Sequence, residues 1–463
     1  MFKKFLPFTV LFICVINGAN AQVLTLKDAV QSALNNYASI RAKTSYLKAS
    51  ESMVREAQAE ALPDLSVGAQ QDYGTANGQF GPLFGAKGLN VASSGPTFPT
   101  QNWNAAFGSL YLANVNWDFF SFGRVKEKIK VYQAIAVRDA SDLEQEKFQQ
   151  EVRVASAYLN LLAAQRLMAS QQKNLERATA IRNVVVLRVK NGLNPGVDSS
   201  LANAEVSNAT IALTNANDYV QEQASQLAQL MGVPVQEFTL DTLFVTRIPA
   251  GIFDSSTRKF EDHPVLQYYQ NRIDISKEQQ KYFKTFKYPT FSLFGVVQGR
   301  GSGFSDQYSI LDQTKYTHNY WTGINPVRGN YLVGVGVTWN LTNPFRVRQQ
   351  VASQEWTSRA LKDEYSLVDE RLKAQEVQAD QKIRNALNNY KEAPIEVKAA
   401  SDAYLQKTVL YKNGLNNIVD LTQALYTLNR AETNRDLAYN SVWQALLLKA
   451  ASSGDFDLFI KQF

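Results

Sequence analysis

Lys190-Asn191-Gly192-Leu193-Asn194, with Val197-Asp198 just beyond it, is spelled again 222 residues later as Lys412-Asn413-Gly414-Leu415-Asn416 with Val419-Asp420. The same offset brings Trp117 onto Trp339, Arg124 onto Arg346 and Gly232 onto Gly454. One unit has been duplicated without a gap over this span. Helix-compatible sequence precedes and follows each Gly-Leu, so each copy predicts the tip of a helical hairpin. Glycine supplies the positive φ at which a helix ends, and Asp198 or Asp420 is expected to cap the helix that follows.

Outward from the first tip, residues 124–191 contain no proline. Phe148, Val152, Ala155, Leu159 and Leu162 step by four, three, four and three, the seam of a coiled coil. A helix of that length is a rod of about 100 Å, too long for a compact domain. Pro195 opens the return helix, which runs to about Met231. Asn203, Ser207, Asn208, Thr210, Thr214, Asn215 and Asn217 predict that one face of it meets water. The second copy repeats the pair over residues 346–413 and 418–453, with Pro394 expected to bend or break the longer helix.

Upstream of each hairpin a shorter helical stretch ends at a proline, at Pro63 after residues 25–62 and at Pro289 after residues 265–287. In the first, Leu26, Ala29, Val30, Ala33, Leu34 and Tyr37 recur at helical spacing. The period then changes to two. Leu65, Val67, Ala69, Gln71 and Tyr73 share one face of a strand, and Phe107, Ser109, Tyr111, Ala113, Val115, Trp117 and Phe119 share one face of its partner. Phe291, Leu293 and Val297, then Val333, Val335, Val337 and Trp339, repeat this in the second half. Long loops over residues 74–104 and 299–330 join the strands. Half-buried strands of a soluble sandwich would also alternate. The 13-residue run of the second strand, its aromatic ends and its small or polar opposite face favour a lipid-facing barrel.

Residues 1–21 read as a signal peptide, with Lys3 and Lys4, an apolar stretch and Ala19-Asn20-Ala21. The lone Cys14 lies inside it, and Ile13 is too large for an acylation site, so the mature chain is expected to be free of thiols. The remaining boundaries are a first repeat at 22–232, a linker at 233–262, a second repeat at 263–454 and a tail at 455–463. No later stretch has the 18 apolar residues of a spanning helix. The net charge of +6 is spread along the chain without a recognition motif, so no nucleic acid is expected. With two histidines and neither a phosphate loop nor a nucleophile elbow, no catalytic residue, metal or cofactor is expected, His263 included.

Four membrane strands per chain leave two open edges, and each unpaired backbone group in hydrocarbon costs several kcal/mol. Several copies must share one barrel. Two give eight strands with a filled interior, and three give twelve with room for water. The order of elements resembles the outer-membrane efflux protein family, the TolC-type channel-tunnels. The resemblance rests on the prolines before the strands, on Trp117-Asp118-Phe119-Phe120 and Trp339-Asn340-Leu341 after them, and on both Gly-Leu tips.

That resemblance implies a mainly α chain with a membrane β-barrel: a long coiled-coil tunnel in the periplasm, and four strands per chain in a 12-stranded barrel shared by a homotrimer. It also implies residence in the outer membrane against its lipid, and a periplasmic adaptor linked to an inner-membrane pump of the RND or ABC type. It implies adaptor contact at Gly192, Leu193, Gly414 and Leu415. It implies a periplasmic gate in which Asp198 faces Tyr411 of the neighbouring hairpin and Asp420 points into the pore. Here Asn416 takes the family's gate arginine position and Gln423 its second lumenal acid position. A hydrogen-bonded lock from Asp198 to Tyr411 or Asn416 then replaces an ionic one. Export of small molecules is the expected role, with type I protein secretion and a periplasmic coiled-coil scaffold as the alternatives.

Overall fold

The computed structural model describes residues 23–78, 95–242, 248–249, 252 and 259–462. The expected signal peptide with Cys14, parts of the first loop and of the linker, and Phe463 lie outside them. The helices are α1 (Leu26–Asn36), α2 (Ala38–Ala59), α3 (Arg124–Lys190), α4 (Gly196–Met231), α5 (Pro264–Thr285), α6 (Tyr320–Ile324), α7 (Asn343–Lys412), α8 (Ile418–Ser453) and α9 (Asp457–Ile460). The strands are β1 (Asp64–Thr75), β2 (Ala105–Phe120), β3 (Thr290–Ser302) and β4 (Arg328–Thr338). They fall into two compact units, one of Met1–Leu47, Arg138–Gln270 and Lys362–Phe463, the other of Lys48–Val137 and Asn271–Leu361.

The helical unit carries the duplicated punctuation. Gly192, Gly232, Gly414 and Gly454 all sit at φ between 68° and 74°, the left-handed conformation that closes a helix. At the two tips the closing bonds match. Leu193 N–H donates to Arg188 O and Leu415 N–H to Leu410 O, both at 2.9 Å. The expected seam is buried: Phe148, Ala155, Leu159 and Leu162 are in the core, with Val152 packed against it. Leu26, Ala29, Val30 and Ala33 of α1 join them, and α9 with its flank adds Phe456 and Phe459, so the short tail is part of this core. Ala202, Ala209, Ala216 and Gln223 of α4 are buried at a spacing of seven, while the asparagines, serine and threonines predicted to face water are exposed. Small residues on that seam let the helices approach closely.

Two expectations are corrected. The first helical stretch is interrupted at Tyr37, whose extended ψ of 124° ends α1 before α2 begins. Pro394 does not break α7, which is helical through all 70 residues. Its fixed φ suits a helix, and because residue 394 is exposed, the carbonyl deprived of its partner can turn to water. In the linker, Leu240 forms a single parallel bridge to Leu24.

The other unit is built on one antiparallel sheet in the order β1-β2-β3-β4, with β1 and β4 at its edges. The register puts Leu65, Val115, Gly295 and Val333 in one row and Val67, Ala113, Val297 and Tyr331 in the next, so the alternating apolar residues of all four strands share a face. On the reverse, one row is Gly68, Leu112, Gln298 and Asn330, and another is Gln70, Leu110, Arg300 and Arg328. Ser66 and Asn114 hydrogen-bond there, as do Ser292 and Asp118. Over much of the apolar face the side chains are bare among the described residues: Leu65, Val67, Val297, Tyr331, Val333, Val335 and Val337 are all at least 60% exposed.

The duplicated tryptophans do matching work in this unit. Trp117 Nε1 donates to Ala61 O at 2.9 Å and Trp339 Nε1 to Lys287 O at 3.1 Å. Each acceptor lies two residues before the proline that precedes β1 or β3, so each indole ties a helix end to the far end of its hairpin.

Candidate functional site

The two tips meet around Tyr411, which lies at the end of α7 and is only 2% exposed. Val185 of α3, Ala202 of α4 and Ile418 and Leu421 of α8 bury its ring, and the Arg188 guanidinium lies 5.6 Å from its centroid. Beside it is a cleft of about 180 Å³ whose lining includes Ile181, Val184, Tyr404, Thr408 and Leu421. Burial first, and the charge of Asp198 second, raise the Tyr411 phenol above its ordinary pKa, with Arg188 acting the other way.

Asp198 and Tyr411 lie on either side of a third residue, which links them in place of the direct hydrogen bond. Asn194 Nδ2 donates to Asp198 Oδ2 at 2.7 Å and reaches the Tyr411 hydroxyl at 3.4 Å. Its Oδ1 accepts from Arg188 Nε at 2.8 Å, and Arg188 Nη1 donates to the Lys412 carbonyl of the other tip at 2.8 Å. One arginine and one amide therefore join two hairpins of the same chain. Neither was singled out in the sequence, yet the repeat held a signal: the 222-residue offset sets Arg188 against Leu410 and Val189 against Tyr411, two departures just before the preserved run begins at Lys190 and Lys412.

The second tip is wired differently. Asn417 is the N-cap of α8, accepting the Asp420 N–H at 2.8 Å, and Pro195 stands at the corresponding position before α4 without a side-chain cap. Asp198 and Asp420 are thus first-turn residues and not caps, because the chain leaves helical geometry three residues before each. A carboxylate there still gains from the helix dipole. Asp420 is also ion-paired with Lys407 of the same hairpin at 3.2 Å, with both side chains more than 40% exposed. Gln423 is exposed. Asn416, the counterpart of Asn194, has a buried Nδ2 without a hydrogen-bond partner. An unsatisfied buried donor costs about 1–3 kcal/mol.

The docking candidates occupy the outermost turns. Leu193 and Leu415 are 65% and 73% exposed, and Val197 and Val419 are exposed beside them. A Cβ on Gly192 would meet nothing within 4 Å, so its φ of 72° alone accounts for the glycine within one chain. Among the described residues no cluster of histidine, cysteine, aspartate or glutamate forms a metal site, and no helix is long and apolar enough to cross a membrane.

Residues 29–233 match the family model described as outer membrane efflux protein. Among solved structures, the outer membrane protein VceC of Vibrio cholerae is similar over 93% of this chain and 96% of its own, with a TM-score of 0.72 at 16% identity. The outer membrane channel CmeC of Campylobacter jejuni is similar over 93% and 85%, with a TM-score of 0.70 at 14% identity. The open state of the MtrE outer membrane channel of Neisseria gonorrhoeae gives 93% and 89%, 0.70 and 15%. No curated protein sequence matches the chain significantly.

Proposed function

We propose that the chain, whose residues 29–233 match the outer membrane efflux protein model and whose fold is similar to that of such channels over nearly its whole length, is a trimeric channel-tunnel of the outer membrane. It would export small molecules delivered by an inner-membrane pump through a periplasmic adaptor. The observation that carries this reading is the sheet: four strands with two open edges, one apolar face largely exposed and the other carrying amides and arginines in its rows. Lipid satisfies the first face and water the second, and neighbouring copies satisfy the edges. A scaffold in water would leave that apolar face bare.

At the tips, Gly192, Leu193, Gly414 and Leu415 would receive the adaptor, and Asp198, Tyr411, Asn416, Asp420 and Gln423 would form the gate, with Asn194 and Arg188 added to it. The orphaned amide of Asn416 fits a lock completed by an acceptor on the neighbouring subunit. The decisive experiment is extraction from outer membranes followed by planar-bilayer recording. Purified material should need detergent, run as a trimer and conduct; a water-soluble monomer without conductance would end the reading. Photo-cross-linking from Leu193 and Leu415 should capture a periplasmic adaptor, and the pump recovered with it decides between small-molecule export and protein secretion.

A further inference from the structure

The loop between β3 and β4 turns outward, onto the apolar face of the sheet. Ser109 Oγ donates to Ile324 O at 3.0 Å and accepts from Gly301 N–H at 3.1 Å. A Cβ on Gly301 would strike Gly323 O and Asn325 O at 2.6 Å, and one on Gly299 would meet Pro326 at 3.2 Å. Gly299, Gly301 and Ser109 belong to the same face as Val297, Ala113 and Val115. The backbone from Gly323 to Pro326 therefore lies flat against that face, where its residues shrink to glycine and serine. Tyr320 anchors the helix, its hydroxyl donating to Gln71 Oε1 at 2.8 Å and its ring edge-on to Phe107. Trp321, beside it, is 73% exposed.

The height of this contact is informative. Trp117 and Phe107 stand ten residues apart on β2. At about 3.4 Å per residue and a strand tilt near 40°, that spans roughly 25 Å along the membrane normal, the height of the apolar band of a transmembrane barrel. Trp117 marks one border of the band and α6 lies at the other, where tryptophan and tyrosine are favoured.

We propose that α6 is a membrane-facing element that seats Trp321 at the lipid headgroup boundary of the outer leaflet, leaving the pore mouth to other segments. This rests on the barrel reading above. α6 packs on the inner strands β2 and β3 and reaches edge strand β1 only through the Tyr320 hydroxyl, which leaves its outer side to lipid rather than to a neighbouring subunit.

The test uses the full-length protein, whose only cysteine is Cys14. Trp321→Cys and, separately, Val333→Cys are labelled with an environment-sensitive fluorophore and reconstituted with lipids spin-labelled at a shallow or a deep acyl position. The Trp321→Cys label should be quenched at least about twice as strongly by the shallow position as by the deep one, and Val333→Cys the reverse. If Val333→Cys responds to lipid quenchers while Trp321→Cys responds only to aqueous iodide, α6 is not a lipid contact and this inference fails with the barrel intact. If neither label responds to lipid, the barrel reading itself has failed.

Discussion

At the scale of single residues, Asn194 is the one on which the gate turns. Its carboxamide uses both hydrogens and its oxygen on Asp198, Tyr411 and Arg188, so removing it should disconnect the others as thoroughly as removing its partners. Single-channel conductance in planar bilayers is expected to rise for Tyr411→Phe combined with Asp198→Ala, and Asn194→Ala alone should give a similar rise. An unchanged conductance in both would remove these residues from the gate. The chemistry of Tyr411 also fixes a pH response. A buried phenol with a raised pKa favours the neutral form, so its contribution is complete below the unfolded value of about 10 and is lost as pH rises through the folded value. Any change of conductance between about pH 6 and 9 should therefore owe nothing to titration of Tyr411; a difference between wild type and Tyr411→Phe that vanished within that window would contradict the assignment. The sequence displayed Asp198 and Tyr411 through the family resemblance, whereas Asn194 stayed hidden because its twin Asn416 has the same identity and no comparable partners.

Elements were legible where a period or a proline enforces them. The switch from helical spacing to alternation at Pro63 and Pro289 places β1 and β3 within a residue of where they form. What could not be read was competition between equivalent local solutions. Asn417 and Asp420 are both good capping residues, and only the backbone geometry decides which one caps. Pro394 breaks helices in general, yet an exposed position on a helix of 70 residues, flanked by buried Ala393 and Ala400, lets packing outweigh one lost bond. The tryptophan struts are the element-scale feature most open to measurement. Trp117→Phe and Trp339→Phe keep an aromatic ring but delete the bond to Ala61 O or Lys287 O, for an expected loss of about 1 kcal/mol each. Thermal dissociation of the purified assembly should shift by similar amounts for the two, and nearly additively in the double variant, since they serve different hairpins. A negligible shift would make them membrane-belt residues only.

For the whole molecule, the question is how the sheet closes. Within one chain β1 and β4 are separated by β2 and β3. At about 4.8 Å per strand their backbones are roughly 14 Å apart, beyond the 7 Å or so that a disulfide can bridge. Cysteines placed one on β1, at Val67, and one on a scanned position of β4, from Tyr331 to Val335, therefore cannot join within a chain of this geometry. Any disulfide that forms must link two copies edge to edge. Under mild oxidation a non-reducing gel should show a ladder of one, two and three chains and then stop, because a closed ring of three offers no fourth edge. A ladder ending at two would mean an eight-stranded barrel with its interior filled by side chains and no conduit for cargo. An open-ended ladder would mean edges that aggregate without closing, and the exposed apolar face would then need a different explanation from lipid.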